Sequence, residues 1–421
     1  MMCMVPVMVT PLPAGFDFTD PDLNLEGVPH EQFAALRSAA PICWVEQVPE
    51  ARAGMSQESG TGYWALTKHA DVAAVSRNTK VFSSHENAVI IRNPETATRE
   101  SVEPSKVVII NQDPPEHTQL RKIISRGFTP RAIGALEEAL EERARRIVGE
   151  AVETGGGNFV AQIASQFPLE VIGDMLGIPA EDRRKIFDWT NQMTGSDDPD
   201  LAREDNDPEA AAAEVLMYSM GLAADRRENP REDIVTKLVK ADVDGRGLTD
   251  DEFGFFVIAL AVAGNETTRN ATAHGMNAFF DNPEQWRLWK DERPGTMMDE
   301  VVRWATPVTS FQRTALEDTE LSGVEIKKGQ RVGLFYASAN YDDDVFTDPF
   351  TFDITRDPNP HLGFGGHGAH YCIGANLARM EIRQIFDAVA DMAPDISRAG
   401  EVARLRSGWL NGIKELPVSY A

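Results

Sequence analysis

The sequence predicts a mainly α-helical protein with small β-sheets. Three observations point there: a 3.6-residue hydrophobic period through most of residues 130–240, one long helical pattern from Thr249 to Phe280, and apolar–polar alternation confined to short runs bounded by Gly, Pro, Asn and Asp. Hydrophobic residues make up 42% of the 421, enough for a sizeable core. The whole chain, 1–421, is expected to form one domain, with residues 1–15 as an N-terminal extension.

The first segment carries Pro11, Pro13, Pro21 and Pro29 and reads as loop. "PICWVEQ" and "TGYWALTK" alternate and hold aromatic and β-branched residues, so both read as strands, and "KHADVAAVSRN" reads as a short helix. Residues 86–112 show no period and read as a long loop, which inside a compact domain points to function. "GALEEALEERARRIVGEAV" has the helical period and stops at Gly155-Gly156-Gly157; with no Lys-Ser/Thr after it, this Gly run is a helix stop and not a phosphate cradle. Residues 195–209 hold seven acids against one Arg and are expected to be a mobile, solvated connection between two helices.

Thr249-Asp250-Asp251-Glu252 is a capping box, a hydroxyl followed three residues on by a carboxylate. "FGFFVIALAVAGNETTRNATAHGMNAFF" follows and stops before Asn282-Pro283, which gives a helix roughly 45 Å long at 1.5 Å per residue. Its first half is apolar nearly all round and is expected to run through the core. "MMDEVVRWA" is a helix ending at Pro307; "QRTALEDTEL" and "VEIKKGQRVGLFYASAN" contain short strands; "DVFTDPFTFDITRDPNPH" is coil; "GANLARMEIRQIFDAVADM" is an amphipathic helix. Asn411-Gly412 is a hairpin turn signal.

Lys and Arg number 41 and Asp and Glu 66, a formal charge of −25. Such a chain repels phosphate backbones, which argues against nucleic-acid binding but leaves room for a local basic patch. Cys3, Cys43 and Cys372 are too few and too scattered for a disulfide framework and fit a reducing cytosol. "MMCMVPVMVTPLP" breaks at Pro6 and has no Lys or Arg before Arg37, so it lacks the charged start of a secretory leader. No stretch reaches the ~20 apolar residues of a membrane span. The expectation is a soluble, cytoplasmic protein.

"GFGGHGAHYCIGANLARMEI", residues 363–382, carries the chemistry and two conflicting patterns. Gly363, Gly365 and Gly368 spell a dinucleotide fingerprint, but that motif needs a hydrophobic strand just before it. Here the approach is "TRDPNPHL", whose two prolines rule out a central parallel strand. Zinc would want about four ligands. His367, His370 and Cys372 crowd one loop, and no second Cys/His cluster exists. A haem supplies four equatorial nitrogens and asks for one axial ligand, which a single thiolate just before a helix N-terminus can provide. The neighbouring glycines would let the backbone lie flat against a planar ring. Taken alone, Cys372 reads first as an inert buried cysteine, the commonest fate of a lone one.

The surroundings decide it. The loop resembles the haem-thiolate motif of the cytochrome P450 superfamily, with Gly366, Gly368, His370, Cys372 and Gly374 matching position by position. The family's usual Phe stands seven residues before the Cys, where this chain has Gly365, and the Phe is displaced to Phe364. Four more matches occur in the family's order. Glu300-x-x-Arg303 with Arg356 resembles its buried Glu-Arg-Arg cluster, whereas Glu142-x-x-Arg145, equally spaced, reads as a solvated helix face. "AGNETT" resembles its oxygen-activation motif through Ala263, Gly264, Glu266 and Thr267. His117 and Arg121 in "HTQLRK", and Arg313 in "FQRTALED", resemble its haem-propionate partners, with His370 as another. The fragments "FSSHENAVI", "RKIISRGFTPRA", "AVAGNETTRN", "VRWATPVT" and "SGWLNGIK" are most similar to the bacterial steroid C26-monooxygenases, a subfamily in which the displaced Phe also occurs.

The resemblance covers roughly residues 15–420. It implies the cytochrome P450 fold with a long central helix over the haem, a haem b held by Cys372, and oxidation of the terminal side-chain methyl of cholesterol or cholest-4-en-3-one. It casts Thr267 as a hydrogen-bond partner of bound oxygen and Glu266 as a proton relay through water, with Ala263-Gly264 leaving room for O₂. Val89, Ile90, Val262 and Trp409 are apolar candidates for the substrate pocket, under a distal cover formed by 86–112 and the acidic connection. A ferredoxin, fed by its reductase, is the expected electron donor, docking on Arg121, Lys122, Arg379 and Arg383. The competing readings are another apolar substrate (terpenoid, branched fatty acid or macrolide) and a non-enzymatic haem binder.

Overall fold

The alternating runs near the N-terminus pair as strands. β1 (Ile42–Glu46) and β2 (Gly62–Leu66) lie antiparallel, with Trp44 opposite Trp64 and their rings in edge contact at 5.3 Å. The computed structural model describes residues 12–95, 97–195, 197–201, 208–231, 233–241 and 245–420; Cys3 and most of the expected extension 1–15 lie outside them. After β3 (Phe82–Ser83) and β4 (Gly156–Asn158) come β5 (Ser310–Ala315), β6 (Thr319–Leu321), β7 (Val324–Ile326) and β8 (Arg331–Phe335). The main sheet runs β1-β2-β8-β5-β3, antiparallel except for the β2–β8 pair. β9 (Ser397–Arg398), β10 (Ala403–Arg404), β11 (Ile413–Glu415) and β12 (Pro417–Ser419) complete two small sheets, β10-β11 and β4-β12-β9.

The larger part is helical. α1 (His30–Ala39), α2 (His69–Arg77), α3 (Glu116–Ile124), α4 (Glu137–Glu153), α5 (Gln166–Met175), α6 (Ala180–Thr194), α7 (Pro208–Glu228), α8 (Asp250–Asp281), α9 (Pro283–Glu292), α10 (Met297–Ala305) and α11 (Ala375–Met392) account for most of it. α8 is the axis of the fold, packed by α5, α7, α10 and α11. Its start is the expected capping box: the Glu252 N–H donates to Thr249 Oγ1 at 3.1 Å and the Thr249 N–H to Glu252 Oε2 at 3.0 Å. Among the described residues no helix is long and apolar enough to cross a membrane.

The structure departs from the sequence reading in five places. The apolar first half of α8 is the less buried half. Val262 is half-buried and Ala263 accessible, while the polar stretch from Asn265 to Gly275 is buried almost throughout. The second half is wedged between α10 and α11, where a β-carbon on Gly275 would meet Val301 and Phe386 at 2.9 Å. Gly156 and Gly157 do more than stop α4: they form β4 and pair with β12. The loop 86–112 contains helical turns at Arg99–Val102, Glu103–Val107 and Ile109–Asn111.

The other two corrections meet at the C-terminal loop. Asn411-Gly412 is not a two-residue turn. It closes a longer loop, in which the Leu405 N–H donates to Gly412 O at 3.0 Å and Asn411 Nδ2 to Ala305 O at 2.6 Å. The acidic connection is pinned where it is described. Asp198 is fully buried, accepts from the Arg406 N–H at 2.9 Å and pairs with Lys414 at 2.9 Å, and Asp197 accepts from the Gly408 N–H at 3.2 Å. Residues 202–207 lie outside the described residues.

Candidate active site

Cys372 stands at the end of a tight loop whose shape follows from its glycines. The Cys372 N–H donates to Phe364 O at 2.9 Å, the Tyr371 N–H to Gly368 O at 3.1 Å, and the Gly365 N–H to Leu362 O at 2.8 Å. Gly365 has φ +94°, a conformation that glycine alone adopts without strain. This explains why the aromatic residue sits at 364 and not at 365. Gly366 and Gly368 are bare for a different reason than the one expected from the sequence. They press against α2: a β-carbon on Gly366 would stand 2.4 Å from Ser76 Oγ, and one on Gly368 1.8 Å from the Ser76 carbonyl oxygen. They clamp the loop onto a helix.

The sulfur sits in a field arranged for negative charge. Gly374 caps α11 and its N–H donates toward Sγ; Arg121 and Arg379 bring guanidinium charges near. Burial is the strongest influence and pushes the thiol above its ordinary pKa, while these three groups pull it back. Cys372 is nevertheless accessible, so an incoming group can reach its side chain. A thiol held this way becomes a thiolate when a cation sits on it, which is the donor chemistry that haem iron needs.

A second cluster fits the rim of a haem. The rings of His117 on α3 and His370 lie 4.1 Å apart, Ser84 Oγ is 3.1 Å from His370 Nε2, and Arg313 on β5 is buried. His117 Nδ1 is buried without a partner. Among the described residues, Arg313 has no ion pair and donates to Gln312 O at 2.7 Å. Burial, and then the arginines, hold His117 down to about 4; burial and Arg313 hold His370 down to about 2. The one nearby carboxylate, Asp113, is already taken by Ser83 Oγ and the Ser84 N–H. Buried donors converging without a counter-ion fit a dianion, such as the two propionates of a haem. Ser84 belongs to this cluster and the sequence reading missed it; its signal was a hydroxyl beside the β3 strand end. Arg121 faces the other way and donates to Tyr371 O on the Cys372 loop.

The third group of candidate residues lies on α8. Ala263 is accessible and Thr267 half-buried, one turn apart, while Asn265, Glu266 and Thr268 around them are buried. Thr267 Oγ1 donates to Ala263 O at 2.5 Å. Gly264 does not leave the room expected of it: a β-carbon there would stand 2.7 Å from Ile172 of α5, so that face is a helix contact. Glu266 is paired with Arg269, and its Oε1 has no partner. Burial raises its pKa and Arg269 opposes.

The Glu300 cluster forms. Arg303 holds Glu300 by two bonds of 2.8 Å, Arg356 Nε donates to Glu300 Oε2 at 3.2 Å, and the Asp353 N–H and Asn359 Nδ2 each donate at 3.0 Å. Arg145, by contrast, lies on an exposed face and pairs with Asp391. Val89 and Trp409 flank β5: Val89 O accepts from the Gln312 N–H at 2.8 Å, and Trp409 stacks on Phe311 at 6.3 Å. Val89 is buried, whereas Ile90, Val262 and Trp409 are half-buried.

The residues 296–389 match the family model described as Cytochrome P450. The chain is 59% identical over 409 residues to the Steroid C26-monooxygenase of Rhodococcus jostii, covering 97% of this chain and 85% of that protein. It is 43% identical to a Methyl-branched lipid omega-hydroxylase of Mycobacterium tuberculosis, covering 92% of this chain and 90% of that one. Among solved structures, a cytochrome P450 of Mycobacterium marinum in complex with pseudoionone aligns with a TM-score of 0.85 and 38% identity over 93% of this chain and 94% of that one. With these relatives spanning nearly its whole length, the chain belongs to the cytochrome P450 family and is a haem-thiolate monooxygenase.

Proposed function

We propose that the chain hydroxylates the terminal side-chain methyl (C26/C27) of cholesterol or cholest-4-en-3-one. The observation that carries this reading is the 59% identity to a steroid C26-monooxygenase over 97% of the chain. The half-buried apolar side chains Ile90, Val262 and Trp409 suit a sterol, which brings a long apolar body and one polar group far from the oxidised methyl. A terminal methyl on a branched chain is also what the 43% relative's name describes, so a methyl-branched lipid is the second reading.

The haem, when bound through Cys372, supplies the centre at which O₂ is reduced by two electrons and one oxygen atom enters a C–H bond, the other leaving as water. The protein does the rest. Cys372 Sγ would hold the haem iron, its charge steadied by the Gly374 N–H, Arg121 and Arg379. His117, Arg313 and His370 take the propionates, which give their unanswered donors a partner. The accessible stripe of Ala263 and Thr267 would face O₂, and the Thr267 hydroxyl, bonded to Ala263 O, is the donor it would offer. Glu266 Oε1, buried and unpaired, passes protons toward that stripe. Glu300, Arg303 and Arg356 hold the coil that leads into the Cys372 loop.

An acidic ferredoxin, re-reduced by its reductase, would supply electrons at the Cys372 face. Lys122 and Arg383 are exposed there. Arg379 pairs with Asp299, Arg383 with Asp387, and Arg121 donates to Tyr371 O, so the patch would steer a partner through its summed field. Residues 1–421 acting as a single haem domain in the cytoplasm, with 1–15 as an N-terminal extension, complete the reading. The test is titration of the haem spectrum with cholest-4-en-3-one and with a methyl-branched fatty acid, followed by product analysis. Sterol binding with oxygen at C26/C27 is the expected result. Binding and turnover of the fatty acid alone would move the substrate to the second reading.

A further inference from the structure

The C-terminal half of α8 is unusual in what it buries. Between Asn265 and His274, eight polar side-chain atoms are shut off from solvent without a partner: both ends of Asn265 and of Asn270, Glu266 Oε1, Arg269 Nε, Thr272 Oγ1 and His274 Nε2. Stranding one such group costs about 1–3 kcal/mol. So many on one short stretch call for an occupant.

Three of these residues stand in line. Glu266, Asn270 and His274 are spaced i, i+4, i+8, so they share one helix face and rise about 6 Å per step. That step is too wide for a direct hydrogen bond of about 3 Å and suits one bridging water. Glu266 is 1% exposed, Asn270 0% and His274 8%. The loop 405–412 lies along the same face, since a β-carbon on Gly412 would stand 3.1 Å from Asn270 Oδ1. The row does not end blind. His274 bonds Asn411, Asn411 Oδ1 accepts from Arg404 Nη2 at 2.6 Å, and half-exposed Arg404 reaches Asn24 O at 3.0 Å.

We propose that Glu266, Asn270 and His274 hold a line of ordered waters leading inward from the Arg404 side of the molecule, and that this line delivers the two protons consumed in the reaction. The balance is R–H + O₂ + 2 e⁻ + 2 H⁺ → R–OH + H₂O, with the electrons from a one-electron iron–sulfur donor. His274 suits the task. Burial and then the Arg404 charge hold its pKa down to about 3, so the ring is neutral, with one nitrogen to accept and one to donate. Arg269 occupies one oxygen of Glu266 and leaves Oε1 for the water line. Asn270 and His274 are positioning residues in this scheme.

The inference rests on the proton role of Glu266 given above, and the test separates the two. A crystal structure of the haem-loaded protein, fine enough to place waters, should show them between Glu266 Oε1, Asn270 and His274; a dry face overturns the proposal without any variant. Asn270→Leu and His274→Leu should raise the share of electrons released as peroxide severalfold and enlarge the solvent deuterium isotope effect on hydroxylation. The sterol dissociation constant and the carbon monoxide spectrum should stay as they are, and Asn270→Ser should restore coupling. If Glu266→Gln uncouples the enzyme and Asn270→Leu does not, the water line is wrong and Glu266 stands. If Glu266→Gln stays coupled, the role of Glu266 fails and takes the line with it.

Discussion

Arg379 lies over the ring of Phe364, its guanidinium carbon 4.6 Å from the ring centroid. Asp299 holds the guanidinium there by bonds of 2.9 Å from Nε and 2.8 Å from Nη2, and itself accepts from His361 Nε2 at 2.8 Å. The Gly363 N–H donates to His361 Nδ1, which leaves Nε2 as the protonated nitrogen. Phe364 is thus clamped between the loop it belongs to and a cation that also faces the thiolate.

Phe364→Ala should therefore cost about 3 kcal/mol of stability, the scale for emptying a buried aromatic site, and should convert part of the haem from thiolate to thiol ligation. Denaturant midpoints and the fraction of the reduced carbon monoxide band at its red-shifted position measure the two effects. Full retention of both would show that the ring shields nothing.

Cys372→Ser should keep the fold and lose the red-shifted carbon monoxide band, because a hydroxyl cannot supply thiolate charge. Survival of that band in the variant would mean that another group ligates the iron.

Glu300→Ala removes the one carboxylate shared by Arg303 and Arg356, with Arg303 wholly buried. Leaving buried guanidinium charge unanswered costs about 3–5 kcal/mol. Urea unfolding of the variant checks this, and a loss below about 1 kcal/mol would mean that the backbone carbonyls around Arg303 suffice.

Thr267→Ala should keep haem and sterol binding and send a severalfold larger share of electrons to peroxide. The hydroxyl is the only side-chain donor on the accessible stripe formed with Ala263. Peroxide released per electron consumed is the measurement, and tight coupling in the variant would refute the assignment.

Glu381 on α11 is buried, and burial raises its pKa from 4.5 to about 8, opposed by a hydrogen bond from Thr268. The folded state holds this proton more tightly than the unfolded state. Its contribution is therefore fully present below about pH 4.5 and is lost as pH rises toward 8. Glu381→Gln keeps the shape and removes the titration. Stability measured from pH 5 to pH 9 should fall less steeply in the variant than in the parent; parallel curves would show that Glu381 does not titrate in that window.

What could be read in the sequence was local. The capping box at Thr249, the strands around Trp44 and Trp64, and the thiolate loop rest on residues a few positions apart. What escaped was long-range. Gly366 and Gly368 are bare because Ser76, nearly 300 positions away, needs the space. Asp198 looked like one acid among seven and is buried against Lys414. Arg379 looked like free surface charge and is spent on Asp299. The burial of α8 was inverted because its polar half is wedged between α10 and α11, a packing that hydrophobicity does not register.

The small sheet β4-β12-β9 and the loop 405–412 have a consequence for the order of synthesis. β12 completes a sheet begun at Gly156, Asn411 bonds the end of α10, Trp409 leans on β5, and Lys414 anchors Asp198. Residues 403–419 thus tie down elements laid down far earlier in the chain. The helices can form while the chain is still emerging from the ribosome, N-terminal parts first. A chain that has not yet made residues 403–419 lacks these ties, so its helices can be in place well before β4, β5 and the end of α10 receive their last partners.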